Sequence, residues 1–228
     1  ISGLRDIGAY QRLAPSSLQW ISGNDQSTVV ATAFIDDLQI QVTDSLGGVL
    51  EGTDIQINLP TTGPTGKIDN SNGAKGFTDS NGLLSVSIVA GQTAGDFQLT
   101  AATGDLIEVA TLTNLPDAVD QGTIIGGNNQ QATVDTLFPE ALRLQVSDRF
   151  DNAIAQESIS FLSPATGASG RLTTPTVLTN GLGQAVTAVA ANEIAGTYTV
   201  EAVVAGQTRQ FTLSNTADTT LSTDPSIK

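Results

Sequence analysis

The sequence predicts an all-β protein built from two tandem immunoglobulin-like antiparallel β-sandwiches. Three observations support this fold class. The second half of the chain repeats the first, short runs alternate between apolar and polar residues, and Asn, Asp and Gly separate those runs. Each repeat is about 100 residues long, which is the size of a sandwich of this type.

The repeat is visible when the sequence is shifted by 104 residues, which places Phe34 on Phe138 and Asp44 on Asp148. The shift falls to 101 beyond a region between Lys67 and Phe77, because the second copy is three residues shorter there. Length changes are tolerated at the surface. We therefore expect a loop or a short edge element between those two residues.

Alternation with a period of two predicts half-buried strands, as in the run that contains Leu38, Ile40 and Val42. Each repeat offers about seven such runs, while the stretch 185–189 is ambiguous in phase because Ala and Val occupy both faces. No stretch shows sustained helical periodicity. Tight turns are expected at the Asn-Gly pairs that begin at Asn72, Asn81 and Asn180.

These patterns divide the chain into four segments. Residues 18–116 and 117–215 form the two sandwiches, residues 1–17 are a linker or the end of a preceding module, and residues 216–228 are a linker or tail. The chain starts at Ile1 without a signal peptide, so we expect a mature form or an excised piece. The short join between the repeats favours an extended rod.

Composition excludes several classes of function. The net charge of −14 repels nucleic-acid phosphates, and no apolar run is long enough to span a membrane. The chain has no Cys and no His, so disulfides, thiolate chemistry, a Ser-His-Asp triad and the common zinc sites are all ruled out. We therefore expect a protein that is not an enzyme and that has no obligatory cofactor.

Three sequence blocks resemble the bacterial immunoglobulin-like domains of the invasin and intimin type. They are Gly-Asn-Asp-Gln-Ser at 23–27, Leu-x-x-x-Val-x-Asp at 38–44, and Ala-Gly-Thr-Tyr-Thr-Val-x-Ala at 195–202, each with a counterpart in the other repeat. The Gly-Asn-Pro-Val that the family usually carries after the second block is absent. The resemblance implies a surface-exposed stalk or spacer in an adhesin, with adhesion confined to a distal domain.

Acidic residues are the main candidates for a site. Asp44 and its repeat partner Asp148 each end a strand before a turn, where an Asp commonly accepts hydrogen bonds from amides of its own turn. The pair Asp36-Asp37, placed at the start of a strand, is not duplicated, so an acid and base pair is not favoured.

Calcium is the one metal that the sequence leaves open, because it takes six to eight oxygen ligands. Asp148 and Asp151 could donate some of them, and a site near Asp117 and Asp120 at the domain junction is an alternative. No calcium-binding motif is present in the sequence, so the expected default is a protein without a metal.

Aromatic residues are few, which disfavours a sugar-binding platform. Tyr198 lies in a run that alternates inward and is expected in the core, and Trp20 is expected to pack at the end of the first sandwich rather than to stack on a ligand. Lys67 and Lys75 lie in the region of variable length, and the second repeat contains no Lys, so a Lys–Asn isopeptide crosslink is rejected.

The leading hypothesis is a non-catalytic spacer in an extracellular bacterial surface protein. Its partners would be neighbouring domains of the same chain or identical subunits, with host or cell-surface ligands bound by other domains. One alternative is a subunit of an extracellular filament that exchanges strands through residues 1–17 and 216–228. Another is a module that binds carbohydrate or protein through loops at one end of a sandwich.

Overall fold

The computed structural model describes residues 14–219 and divides into two compact units between Leu115 and Pro116. The predicted terminal segments 1–17 and 216–228 lie mostly outside the described residues. Within the described part of the chain every regular element is a β-strand, so the predicted all-β fold class is confirmed. No helix in that part is long and apolar enough to cross a membrane.

Within residues 14–219 each unit has ten strands, several of them only two or three residues long, where about seven were predicted. Those of the first unit are β1 (Ser17–Ser22), β2 (Ser27–Val29), β3 (Leu38–Thr43), β4 (Asp54–Asn58), β5 (Gly66–Lys67), β6 (Gly73–Phe77), β7 (Leu83–Val86), β8 (Val89–Ala90), β9 (Gly95–Thr103) and β10 (Leu106–Leu115). Those of the second are β11 (Gln121–Gly126), β12 (Gln130–Thr133), β13 (Leu142–Ser147), β14 (Ser158–Leu162), β15 (Gly170–Leu172), β16 (Thr176–Leu178), β17 (Gln184–Thr187), β18 (Val189–Ala191), β19 (Gly196–Val204) and β20 (Gln207–Thr216).

Both units share one sheet plan. In the first, a three-stranded sheet β1-β3-β7 accompanies a five-stranded sheet β2-β10-β9-β4-β6, and the short strands β5 and β8 pair with each other. The second repeats this order as β11-β13-β17, β12-β20-β19-β14-β16 and β15-β18. Most pairs are antiparallel, but β2 runs parallel to β10 and β12 runs parallel to β20.

The inward faces of the two sheets form a separate apolar core in each unit, as the alternation predicts. The first core contains Phe34 edge-on to Phe97, with ring centroids 6.3 Å apart. The second contains Phe161 tilted against Phe211, with centroids 6.1 Å apart. The ambiguous stretch 185–189 places Ala185, Thr187 and Val189 inward, since those three are buried.

Four tight turns share one construction. An Asp or Asn side-chain oxygen accepts hydrogen bonds from the amides two and four residues later, and the residue three positions later has a positive φ. The four capping residues are Asp44, Asp79, Asp148 and Asn180. The turn predicted at Asn180-Gly181 therefore exists, but its positive φ of 70° belongs to Gly183.

The three residues that only the first repeat has belong to a hairpin between β5 and β6. Asp69 and Asn70 both have positive φ, and Ile68 and Ser71 exchange backbone hydrogen bonds across them. This is the geometry of a two-residue type I′ turn, which favours Asn and Asp. The predicted short edge element is β6, which lies at one edge of the five-stranded sheet.

Replacing Gly127 with Ala is expected to lower the free energy of unfolding by about 2 kcal/mol. Gly127 has a φ of 79°, and a Cβ there would lie 2.3 Å from the carbonyl oxygen of Ala141. Gly181→Ala is the matched control, because a Cβ at Gly181 meets nothing within 4 Å. Urea denaturation measures both. Equal losses in the two variants would contradict a steric role for Gly127.

Candidate functional site

Asp148 is the most completely bonded carboxylate among the described residues. It is fully buried at the end of β13. One oxygen, Oδ1, accepts hydrogen bonds from the amides of Phe150 and Asn152 at 2.8 and 2.9 Å. The other, Oδ2, accepts from the Asn152 side chain and from the Asp117 amide, both at 2.9 Å. The turn role that the sequence predicts for Asp148 is confirmed.

These bonds control the charge of Asp148. Burial acts to raise the pKa of Asp148, but the hydrogen bonds from the Asn152 side chain and from the amides of Asp117, Asn152 and Phe150 together outweigh it. The pKa of Asp148 therefore lies below its ordinary value of 3.8. The carboxylate stays ionised at neutral pH and holds the segment that leads into the second unit against the turn after β13.

The other three calcium candidates surround this turn in different roles. Asp117 forms an ion pair with Arg149 at 3.2 Å, and its Oδ1 accepts from the Ala118 amide. Asp120 donates its amide to the Ser147 carbonyl, and Asp151 occupies the positive-φ position of the turn. In residues 14–219 no group of three or more acidic side chains is arranged to hold a metal ion. The expectation of a protein without a metal, with calcium as the alternative, stays a prediction.

Asp44, the counterpart of Asp148, has a smaller set of bonds. Its Oδ1 accepts from the amides of Leu46 and Gly48, as in the second unit. Position 48 holds a glycine where the second unit has Asn152, so the side-chain bond to the carboxylate is lost. Asp44 is partly buried, whereas Asp148 is fully buried.

Duplicated asparagines tie loops to the last strand of each unit. Asn114 is 1% exposed, and its Nδ2 donates to the carbonyls of Thr65 and Thr93 at 2.8 and 3.0 Å. Asn215 is the counterpart, and its Nδ2 donates to the carbonyls of Ser169 and Ile194. Sequence reasoning missed both, although the aligned Asn pair was visible.

A groove of about 660 Å³ lies in the first unit beside the β5–β6 hairpin, and we call it the hairpin groove. Its lining comes from β5, the hairpin turn, β8 and the loop after β8. The side chains that matter below are Lys67, Asp69, Asn70, Ser87, Val89 and the methyl of Ala31. Its lining combines a cation, an anion, an amide and a hydroxyl.

The corresponding place in the second unit is occupied by protein side chains. Arg171, the counterpart of Lys67, forms an ion pair with Asp135 at 2.8 Å. Asp135 stands where the first unit has Ala31. Asn192 stands where the first unit has Gly91, and its side chain bonds to the Gly167 carbonyl and to the Ser169 hydroxyl. The two units therefore differ at this place in two side chains, Ala31 against Asp135 and Gly91 against Asn192, and in the hairpin turn that only the first unit has.

The remaining aromatic and acidic candidates contact other parts of the protein. Tyr198 is 8% exposed in the second core, and burial raises its pKa to about 12. Trp20 is partly buried and packs against the first core, as expected. Asp36 and Asp37 precede β3 instead of starting it, which corrects their predicted position, and Asp37 accepts hydrogen bonds from the hydroxyls of Ser85 and Ser87.

No family model matches the sequence. Among solved structures, the chain is similar to invasin, described as a bacterial integrin-binding protein, at 18% identity and a TM-score of 0.40 over 89% of this chain and 40% of that one. It is similar to FdeC, an Escherichia coli adhesin, at 17% identity and a TM-score of 0.48 over 89% of this chain and 66% of that one. The D0–D1 domain of intimin gives 14% identity and a TM-score of 0.33 over 90% and 96%.

The chain thus spans 40% of the invasin chain and 66% of the FdeC chain. The fold itself is established by the strand pairing, which is the same in both units. The chain is a tandem pair of immunoglobulin-like β-sandwiches, similar to the domains of invasin- and intimin-type bacterial adhesins.

Proposed function

We propose that the chain is a non-catalytic, tension-bearing module of an extracellular bacterial surface protein, where it acts as a spacer that holds a distal region away from the cell. Its partners are then the neighbouring domains of the same protein. The resemblance of its sequence motifs to surface-protein domains supports the location, and the tandem repetition of one sandwich supports the spacer role.

The observation that carries this proposal is the parallel pairing of an early strand with the last strand in each unit. Ser27 pairs with Thr113, and Val29 pairs with Leu115, in the first unit. In a parallel pair, pulling the start of one strand and the end of the other slides the two strands past each other. All the hydrogen bonds between them are then stretched together, whereas a sideways pull breaks them one at a time.

Further backbone bonds extend this contact beyond the assigned strands. In the first unit, the Val30 amide donates to the Leu115 carbonyl at 2.9 Å. In the second, the Asn129 amide donates to the carbonyl oxygen of Thr212, and the Val134 amide donates to the carbonyl oxygen of Thr216, both at 2.9 Å. The parallel contact in the second unit thus reaches from one end of β12 to the other, at the place where tension would enter and leave the unit.

Single-molecule pulling tests the proposal by comparing two directions of force on the first unit. Pulling from the two chain ends loads β2 against β10 in shear. Pulling from the amino end and from a cysteine introduced by Asp105→Cys, in the turn between β9 and β10, draws the strands apart sideways. The chain contains no cysteine of its own, so this attachment is unique. Asp105 is exposed, so the substitution leaves the core intact.

We expect end-to-end pulling to give two unfolding events, each releasing roughly 350 Å of chain at ~3.6 Å per residue. The unfolding force of the first unit should be clearly higher in this direction than through position 105. Equal forces in the two directions would show that the parallel pair gives no mechanical resistance, and the tension-bearing role would be wrong.

A further inference from the structure

We propose that the hairpin groove of the first unit binds a hexuronate residue of an acidic polysaccharide, with the sugar carboxylate on Lys67 and the sugar hydroxyls on the hairpin turn. This binding activity is additional to the proposed mechanical role and does not depend on it.

The groove contains a cation that has no ion-pair partner among the described residues. In the second unit the guanidinium of Arg171 is neutralised by Asp135. In the first unit Ala31 replaces that acid, and Lys67 forms no ion pair with any residue in the range 14–219. Lys67 therefore presents an unneutralised positive charge to the groove, whereas Asp135 neutralises the charge of its counterpart, Arg171. A carboxylate from a ligand takes the position that the Asp135 carboxylate has in the second unit.

The hairpin turn offers groups that can bind sugar hydroxyls. Asp69 and Asn70 form the turn of the hairpin, and both line the groove. A carboxylate accepts two hydrogen bonds from neighbouring hydroxyls, and an amide both donates and accepts. Ser87 donates its own hydroxyl to Asp37 and so faces a ligand as an acceptor. These groups suit a ligand that carries several hydroxyls beside its carboxylate, and they suit a bare inorganic anion poorly.

Hydrogen bonds hold the groove in shape before a ligand arrives. The Gly91 amide donates to the Thr65 carbonyl at 2.7 Å. The buried Asn114 side chain bonds to the carbonyls of both Thr65 and Thr93, and both of these residues line the groove. The hairpin turn is closed by the paired bonds of Ile68 and Ser71. A preformed groove lowers the entropy lost on binding.

The size and the apolar surface fit one sugar ring. The volume of about 660 Å³ is within the range of ordinary small-ligand sites. Val89 is 45% exposed in the groove and offers an apolar surface to the C–H face of a ring. The groove has no aromatic residue in its lining, so we expect an affinity for a single sugar residue of about 1 mM, a value at the weak end of specific binding.

The overall charge of −14 repels anions at long range. At about 0.15 M salt the Debye length is ~8 Å, so the distant acids are largely screened while a contact with Lys67 is retained. Binding is therefore measured at that ionic strength.

The test is a titration of the isotope-labelled chain followed by two-dimensional proton–nitrogen NMR. The probes are sodium glucuronate, its methyl glycoside, glucose and sodium acetate. We expect glucuronate and its glycoside to give saturable shifts at the amides of Asn70 and Gly91. Glucose lacks the carboxylate and acetate lacks the hydroxyls, so both should bind at least about tenfold more weakly.

Two variants of the first unit locate the site. Lys67→Gln removes the cation, and Ala31→Asp supplies the acid that the second unit has. Asp is tolerated at position 31, because Ala31 and Asp135 have nearly the same positive φ, 60° and 61°. Each variant should weaken glucuronate binding at least about tenfold. Arg171→Gln, the matched change in the second unit, should leave binding unchanged.

The proposal is overturned if glucose or acetate binds as well as glucuronate, or if no probe gives saturable shifts. It is equally overturned if Ala31→Asp and Lys67→Gln, with dispersed native spectra, bind like the parent. Binding of free glucuronate without binding of the methyl glycoside would exclude a residue within a polysaccharide.

Discussion

Replacing Phe211 with Ala should lower the free energy of unfolding of the second unit by about 4 kcal/mol. Phe211 lies on β20, is fully buried, and contacts the ring of Phe161 in the middle of the second core. Removing its ring takes away apolar contacts and leaves a cavity that the surrounding strands cannot close without breaking their pairing. Scanning calorimetry of the whole chain measures this loss as a lower transition temperature.

Gln210→Ala is the control for this prediction, because Gln210 precedes Phe211 on the same strand and is exposed. Its effect should stay within about 0.5 kcal/mol. The first unit has its own core, so its transition should be unchanged by Phe211→Ala. A loss for Phe211→Ala no larger than that for Gln210→Ala would mean that the Phe161–Phe211 contact does not stabilise this sandwich.

Asp148→Asn should lower the free energy of unfolding of the second unit by about 3 kcal/mol at neutral pH. The Asn side chain removes the charge and places an amide group against donors, since Asp148 now receives two hydrogen bonds on each oxygen. Urea denaturation at pH 7 measures the loss. Asp44→Asn is the matched change in the first unit, where the carboxylate caps two amides and is less buried, and it should cost about 1 kcal/mol.

The pH dependence of stability tests the charge of Asp148 directly. The pKa of Asp148 in the folded state is lowered below the ordinary value of 3.8. Its contribution is therefore fully present above pH 3.8 and is lost as the pH falls through the lower folded pKa. The parent should lose stability over this acidic window, and Asp148→Asn should lose less. Parallel pH profiles for the two proteins would contradict an ionised, hydrogen-bonded Asp148.

Much of the fold followed from local pattern. Alternation placed Leu38, Ile40 and Val42 on one face of a strand, and all three are buried in the first core. The position of Asp148 at a strand end predicted its bonds to amides of its own turn. These inferences succeed because side-chain direction in a strand and capping in a turn are decided within a few residues along the chain.

The candidate sites depend on contacts between residues that are far apart in the sequence. The local sequence pattern could not predict these contacts. The hairpin groove brings together Ala31, Lys67 and Gly91, which are far apart in the sequence. The sequence shows that the repeats differ at these positions. Only the folded structure shows that the three residues line the same groove. The bond from the Asp117 amide to Asp148 is similar, because it joins residues 31 positions apart.

The sequence by itself determined that this protein is a pair of related β-sandwiches with separate apolar cores, since period-two alternation and a repeat of domain size are properties of the linear chain. The tertiary structure decided how each core is filled. Phe211 of the second unit has Ala110 as its counterpart, and the first unit uses Phe34 against Phe97 instead. The tertiary structure also decided that the first unit has an open groove beside its hairpin, because packing and charge pairing depend on which residues the folded strands bring within a few ångströms of one another.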